Sequence, residues 1–291
     1  MHKFKINSMK LDISLKPVSP LLVKSGGISP NPLLPDMQFV RTQVNGEETI
    51  YIPGSSLKGT FRSSVERTLR GIKDDWACDL QDNSCVKKLE DMKENSKDLK
   101  SWEIYKYSCM ACKMFGSTKL KGRVIIQDAY PTEEIKTETR YGVSISRLSQ
   151  GVAHGPFETE VAVSGTFKTQ ILLENFEIWQ LGGITLVAEG LNTGMIRVGF
   201  GKNRGFGQVS LIVEDIEYSL MGSLDTDTIG GIGILVSDEV RKKYGLRSDD
   251  EISPIEPRES KPRLLETVRQ YNIQQWDEIA MKSVEKLRGL R

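Results

Sequence analysis

Histidine is nearly absent from this 291-residue chain: only His2 and His154 are present. Nucleophilic triads and histidine acid/base pairs therefore have little to work with, and His154, in a glycine-flanked loop, reads as exposed and idle. If such a chain cuts a phosphodiester, the work falls to a carboxylate, a cation or a metal. Long apolar runs are missing too. None approaches the roughly 20 residues needed to span a bilayer. The start, Met1-His2-Lys3-Phe4-Lys5-Ile6, lacks the apolar core and small-residue cleavage site of a secretory signal. The expectation is a soluble, cytoplasmic protein with no membrane partner. Net charge is also scarce: 40 basic and 39 acidic residues leave +1, which excludes coating nucleic acid by bulk charge alone. Cysteine is confined to four positions and is judged in a reducing compartment.

What charge there is lies unevenly. Bases gather at residues 58–70, 119–123 and 202–204, acids at 74–75, 90–94, 214–217 and 249–259. A neutral protein with separated basic faces can still follow a phosphate backbone. The most legible stretch is Ile52-Pro53-Gly54-Ser55-Ser56-Leu57-Lys58-Gly59-Thr60-Phe61-Arg62-Ser63. Proline and glycine force a turn, the serines start a helix over residues 55–70, and Leu57, Phe61, Val65 and Leu69 form its buried stripe. Lys58 and Arg62 run beside that stripe at the positive end of the helix. Ser55, Ser56, Lys58 and Arg62 suit a phosphate group; the plainer reading is a turn, a cap and solvated charges.

Residues 9–18 alternate as a strand. A proline- and glycine-rich loop follows over 19–35, and residues 37–44 and 48–52 flank Asn45-Gly46, a strong two-residue hairpin signal. Asp36 stands where the loop enters this hairpin. Residues 122–130 read as a buried strand, 131–158 as irregular and exposed, and 161–173 as a strand. A helix over 177–190 is weakened by Gly182-Gly183. A short strand at 195–200, a glycine-rich run at 199–207 and a strand at 208–218 complete the order. Residues 222–262 read as polar and loose, and 263–287 as helical, packing back on the core or docking on a neighbouring subunit. Stripped of insertions, the order strand, helix, strand, strand, helix, strand is the α+β, ferredoxin-like plan also used by RNA-recognition (RRM-like) domains.

Cys78, Cys85, Cys109 and Cys112 fall in the insertion 71–115, spaced C-x6-C-x23-C-x2-C. The last pair is a normal zinc half-site and the first is wider than usual; two disulfides or four unrelated thiols are the competing readings. Four thiolates would close a tetrahedral Zn2+ site with no open position, hence structural. The glycine run misses the dinucleotide fingerprint by one residue and precedes a strand. It offers bare backbone beside Lys202 and Arg204, or simply a turn between strands. Asp36 alone is a candidate catalytic carboxylate or a cap.

The helix-start stretch closely resembles the signature of the RAMP superfamily, the backbone subunits of type III CRISPR effector complexes. Asn203-Arg204-Gly205-Phe206-Gly207 is similar to that family's late glycine-rich loop, and Cys109-x-x-Cys112-x-x-Phe115-Gly116 to its zinc-bearing members. The likeness runs, with gaps, over about residues 9–218. It implies a ferredoxin-like core over 1–221 that binds guide RNA, with a zinc-bearing insertion at 71–115, a thumb at 131–160 and a C-terminal helical extension over 222–291. It implies RNA contacts at Ser55, Ser56, Lys58, Arg62, Arg147, Lys202 and Arg204, and other type III effector subunits as partners. Asp36-Met37-Gln38-Phe39-Val40-Arg41 falls where catalytic members carry an aspartate that cuts target RNA with a divalent cation such as Mg2+, although the hairpin between Asp36 and Ile52 is longer here. Two alternatives remain: a purely structural paralogue that binds guide RNA, and a processor of precursor guide RNA, which histidine poverty disfavours.

Overall fold

Met9, Leu11, Ile13 and Leu15 alternate with Lys10, Asp12 and Ser14, and this period of two forms strand β1 (Asn7–Pro17) with the apolar set buried. The structure, a computed structural model, describes residues 4–26, 34–79, 84–94, 99–222 and 227–290. His2 and residues 27–33 of the proline- and glycine-rich loop lie outside them. In chain order β1 is followed by helix α1 (Gly54–Ile72), β2 (Val124–Ile126), β3 (Phe167–Glu174), helix α2 (Ile178–Asn192) and β4 (Val209–Met221). Strands β5 (Glu259–Arg263) and β6 (Glu266–Tyr271) and helix α3 (Ile273–Arg288) close the chain.

Among the described residues these six strands form an antiparallel sheet in the order β5–β6–β4–β1–β3–β2, and the two-residue strand Tyr130–Pro131, paired with the start of β3, is the seventh; with the helices this makes a mixed α+β fold. Leu11 stands opposite Ile171 on one side and Ile216 on the other, which sets one apolar face. The helices cover that face. Leu57, Phe61, Val65 and Leu69 of α1 are buried in the same core as the apolar side of β1. Burial of each such side chain stabilises the fold by roughly 1.5–3 kcal/mol. Helix α2 is apolar nearly all round because it is packed between α1, α3 and the sheet.

Three segments depart from the expectation. Residues 136–145 and 152–164 are not irregular: they form a long antiparallel hairpin, almost wholly exposed until Thr159–Ala162 enter the core. Residues 195–200 form no strand. The C-terminal region is neither loose nor wholly helical: Ile229, Ile232, Ile252 and Ile255 are buried, and residues 266–271 are a strand paired with β4 before α3 begins. Asn45-Gly46 makes the expected turn, both with positive φ, between strands Arg41–Val44 and Glu47–Ile50.

Candidate nucleic-acid interface and cysteine centre

Because β1 runs antiparallel to both neighbours, its end meets their beginnings. Leu15 pairs with Phe167, Pro17 with Val209, and Val18 donates to the Gln208 carbonyl. Leu21 bridges Ala162 of the exposed hairpin, and Ile52 bridges Ala129 just before α1. The helix start, the hairpin root, the glycine-rich run and the loop after β1 therefore share one end of the sheet.

At the start of α1 the backbone lies so close to β2 that a Cβ on Gly54 would sit 2.3 Å from the Ile126 carbonyl oxygen. Glycine is the residue that fits there. Pro53 supplies no side-chain cap; instead Asp128 Oδ1 accepts the Gly54 amide at 2.7 Å. Ser55 is exposed and Ser56 half-buried. Lys58 is half-buried with no carboxylate within ion-pair reach among the described residues, and burial, then Arg62, holds its ammonium below the usual value. Arg62 is engaged elsewhere: its Nε donates to Glu66 at 2.8 Å, Nη1 to the Gly116 carbonyl at 2.9 Å, and Nη2 lies 3.8 Å from Cys112 Sγ.

Asp36 is exposed, at the root of the long hairpin. Met37 forms a parallel bridge with Thr159, and Asp36 Oδ2 accepts the Glu158 amide at 2.9 Å. The following residues are clamped by Glu160, which takes Nη1 of Arg41 and the Phe39 amide, each at 2.9 Å, on Oε2. Phe39 is buried and stacked on Phe167. Reading the sequence singled out Asp36 but missed Glu160, Asp128 and the stacked pair Tyr51–Tyr130; no spacing rule connects residues that far apart in the chain.

Gly199 and Gly207, both at positive φ, lie where a Cβ would be 2.1 Å from the carbonyls of Leu22 and Val198 respectively. Phe200 and Gly207 donate to the Leu22 and Pro20 carbonyls. The glycines thus serve close packing on the loop after β1. Between them Lys202 and Arg204 are exposed on a short turn, and Arg147 is exposed at the tip of the hairpin.

The insertion brings Cys78, Cys85 and the Cys109/Cys112 pair together from three separate places, the four sulfurs all within 4.8 Å of one another. Cys78 and Cys112 sulfurs are 3.7 Å apart. That is far beyond a disulfide of about 2 Å and matches the roughly 3.8 Å edge of a tetrahedron with Zn–S of about 2.3 Å. Cys112 N and Cys109 N donate to Cys109 Sγ and Cys85 Sγ. Bonds from Cys112 and Cys85 drive the Cys109 thiol down, while Cys109 drives those of Cys85 and Cys112 up. The four sulfurs lie close enough together to bind a metal ion such as zinc, which would take them as thiolates. Arg70 fixes the approach to the site by donating to the Ala77 and Cys78 carbonyls. The rest of the insertion leans on the body: Tyr105 donates to Glu177 at 2.5 Å and packs in one apolar cluster with Leu120, Ile232 and Leu246.

The family model of the RAMP superfamily matches residues 14–210. This chain belongs to the RAMP superfamily, generally CRISPR-associated RNA-binding proteins, which implies RNA and CRISPR complex partners. No curated protein matches the chain. Among the described residues no helix is long and apolar enough to cross a membrane.

Proposed function

We propose that this chain is a guide-RNA-binding backbone subunit of a type III CRISPR effector complex that cleaves bound target RNA through Asp36. The sheet order supports a ferredoxin-like core: in the run β1, α1, β2, β3, α2, β4, the fourth, first, third and second strands lie side by side. In this reading residues 1–221 are the core, 71–115 a zinc-bearing insertion, 131–160 the thumb, and 222–291 an extension that widens the sheet and the helical layer.

The observation that carries the reading is the set of uncommitted cations at one end of the sheet and on the hairpin rooted there. Lys58, Arg147, Lys202 and Arg204 have no acidic partner among the described residues, whereas Arg41, Arg62 and Arg263 are engaged. Unpaired cations are free to replace counterions on a phosphate backbone. Ser55 and Ser56 add hydroxyls beside them. Arg62, its donors engaged by Glu66, Gly116 and the cysteine cluster, supports the helix rather than the RNA.

In the cleavage step the 2′-hydroxyl attacks the adjacent phosphorus in line and gives its proton to water, forming a cyclic phosphate, while the 5′-oxygen of the next nucleotide leaves and takes up a proton from water. Among the described residues only Oδ2 of Asp36 is bound, by the Glu158 amide, which leaves Oδ1 to orient that hydroxyl. Glu160 and Arg41 hold the segment still. A divalent cation such as Mg2+ would neutralise phosphate charge there, with one protein carboxylate and the remaining ligands from phosphate and water.

The test is the assembled complex with guide and target RNA, comparing Asp36→Ala with wild type. Cleavage opposite this subunit is expected to stop while RNA binding persists, since phosphate contacts and chemistry lie on different residues. Unchanged cleavage at every position would leave the subunit a scaffold.

A further inference from the structure

Two aromatic rings beside the helix start serve no core. Tyr51 and Tyr130 stack with centroids 5.9 Å apart and planes within 14°. Tyr130 is 39% exposed. The pair is held in place from both sides: Tyr51 directly precedes Ile52, which bridges Ala129, and the Tyr130 hydroxyl reaches Asp128 Oδ2 at 3.4 Å. Asp128 is the same carboxylate that caps α1, so one side chain touches both the ring pair and the first helical turn.

Tyr130 also lines an open cleft of about 750 Å3 on the sheet face away from the helices. Tyr51 does not line it. Tyr51 therefore covers one face of the Tyr130 ring and leaves another side toward the cleft. The cleft carries carboxylates at Asp12, Asp128, Glu214 and Asp215, while Lys168, its one cation among the described residues, is paired with Glu214 at 2.6 Å. That lining repels phosphate. It accepts hydrogen bonds, and exocyclic amino groups of adenine, cytosine or guanine are donors.

We propose that Tyr130, backed by Tyr51, is a stacking platform for an amino-bearing nucleobase turned into this cleft, while the phosphates stay outside on Lys58. The proposal rests on the RNA-binding reading and names the part of the RNA that this surface takes. Stacking on an exposed, pre-ordered ring tolerates any base face, and the acidic wall discriminates against uracil.

The experiment uses the full-length protein and a single-stranded RNA carrying 2-aminopurine, with binding and fluorescence quenching read at several salt concentrations. Tyr130→Leu is expected to weaken binding roughly 5- to 100-fold, abolish quenching and leave the salt slope unchanged. Tyr130→Phe, which keeps the ring and loses only the hydroxyl contact with Asp128, is expected to quench and to bind within about two-fold of wild type. Oligo-uridine is expected to bind more weakly than oligo-adenosine to wild type but not to Tyr130→Leu. Tyr130→Leu that binds and quenches like wild type, while Lys58→Ala is weakened, would overturn the platform and leave the RNA reading standing. Wild-type protein with no affinity for any of these RNAs would overturn both.

Discussion

Asp128 caps a helix to which it does not belong: its Oδ1 accepts the amide proton of Gly54 at 2.7 Å across the gap between β2 and α1. The positive end of α1 is thus partly compensated before any anion arrives. A phosphate at this helix start must be held chiefly by Lys58 and the serine hydroxyls rather than by the first amide. Asp128→Ala should lower stability by about 1 kcal/mol, the usual loss of an N-cap, or about 2–4 °C in a melting experiment. Asp128→Asn should raise affinity for oligo-uridine, which brings no exocyclic amino group to the acidic cleft, at low salt by roughly two- to five-fold, because a charge facing the phosphate is removed. Equal affinity in the two proteins would put the RNA elsewhere.

The cysteine centre predicts one equivalent of zinc in pure protein. Cys109→Ser and Cys112→Ser should each lose it, and the loss should reach α1, because Arg62 spans from Glu66 to Cys112. Metal analysis combined with thiol-modification rates checks this. Less than half an equivalent of metal, or four thiols that react freely in the native protein, would contradict the site.

Much of the helix-rich half of this layout was legible in the chain because its signals are local. A four-residue apolar spacing announced α1, Asn45-Gly46 announced its turn, and the cysteines stood alone. The hairpin over 136–164 was not legible, because a ribbon exposed on both faces has no buried side to impose a period of two. Gly182 read as a weakness in α2. In the fold it is a contact, since a Cβ there would lie 2.4 Å from the Ser283 carbonyl of α3. Lys58 and Arg62 looked equivalent in sequence; which of them faces out depends on Glu66 and on a cysteine fifty residues away. Asp36 is a candidate that local sequence singles out, but Glu158, which binds its carboxylate, and Glu160, which binds Phe39 and Arg41 after it, lie more than a hundred residues further on.

Asp250 ties the C-terminal region to α2 by accepting the amides of Ile178 and Gly233, both at 2.8 Å. Burial and then the neighbouring Glu177 carboxyl push it up to about 7 from 3.8, against those two donors. The folded chain therefore keeps a proton there that the unfolded chain gives up at lower pH. The stability from this group is complete below about 3.8 and is lost as pH rises through about 7. Glu177, raised by burial, acts in the same direction, while Asp249, held at about 2 by Arg247, acts only below this window. Melting temperature should fall from pH 5.5 to 8, and Asp250→Asn should flatten that fall whatever it does to absolute stability. A slope identical in both proteins would contradict the assignment.

The measurement closest to the central claim is the salt dependence of single-stranded RNA binding by the full-length chain, wild type against Lys58→Ala. The account predicts weaker binding at every salt concentration and a slope of log affinity against log salt smaller by about one phosphate contact. Superimposable lines for the two proteins would mean that the start of α1 does not carry the RNA.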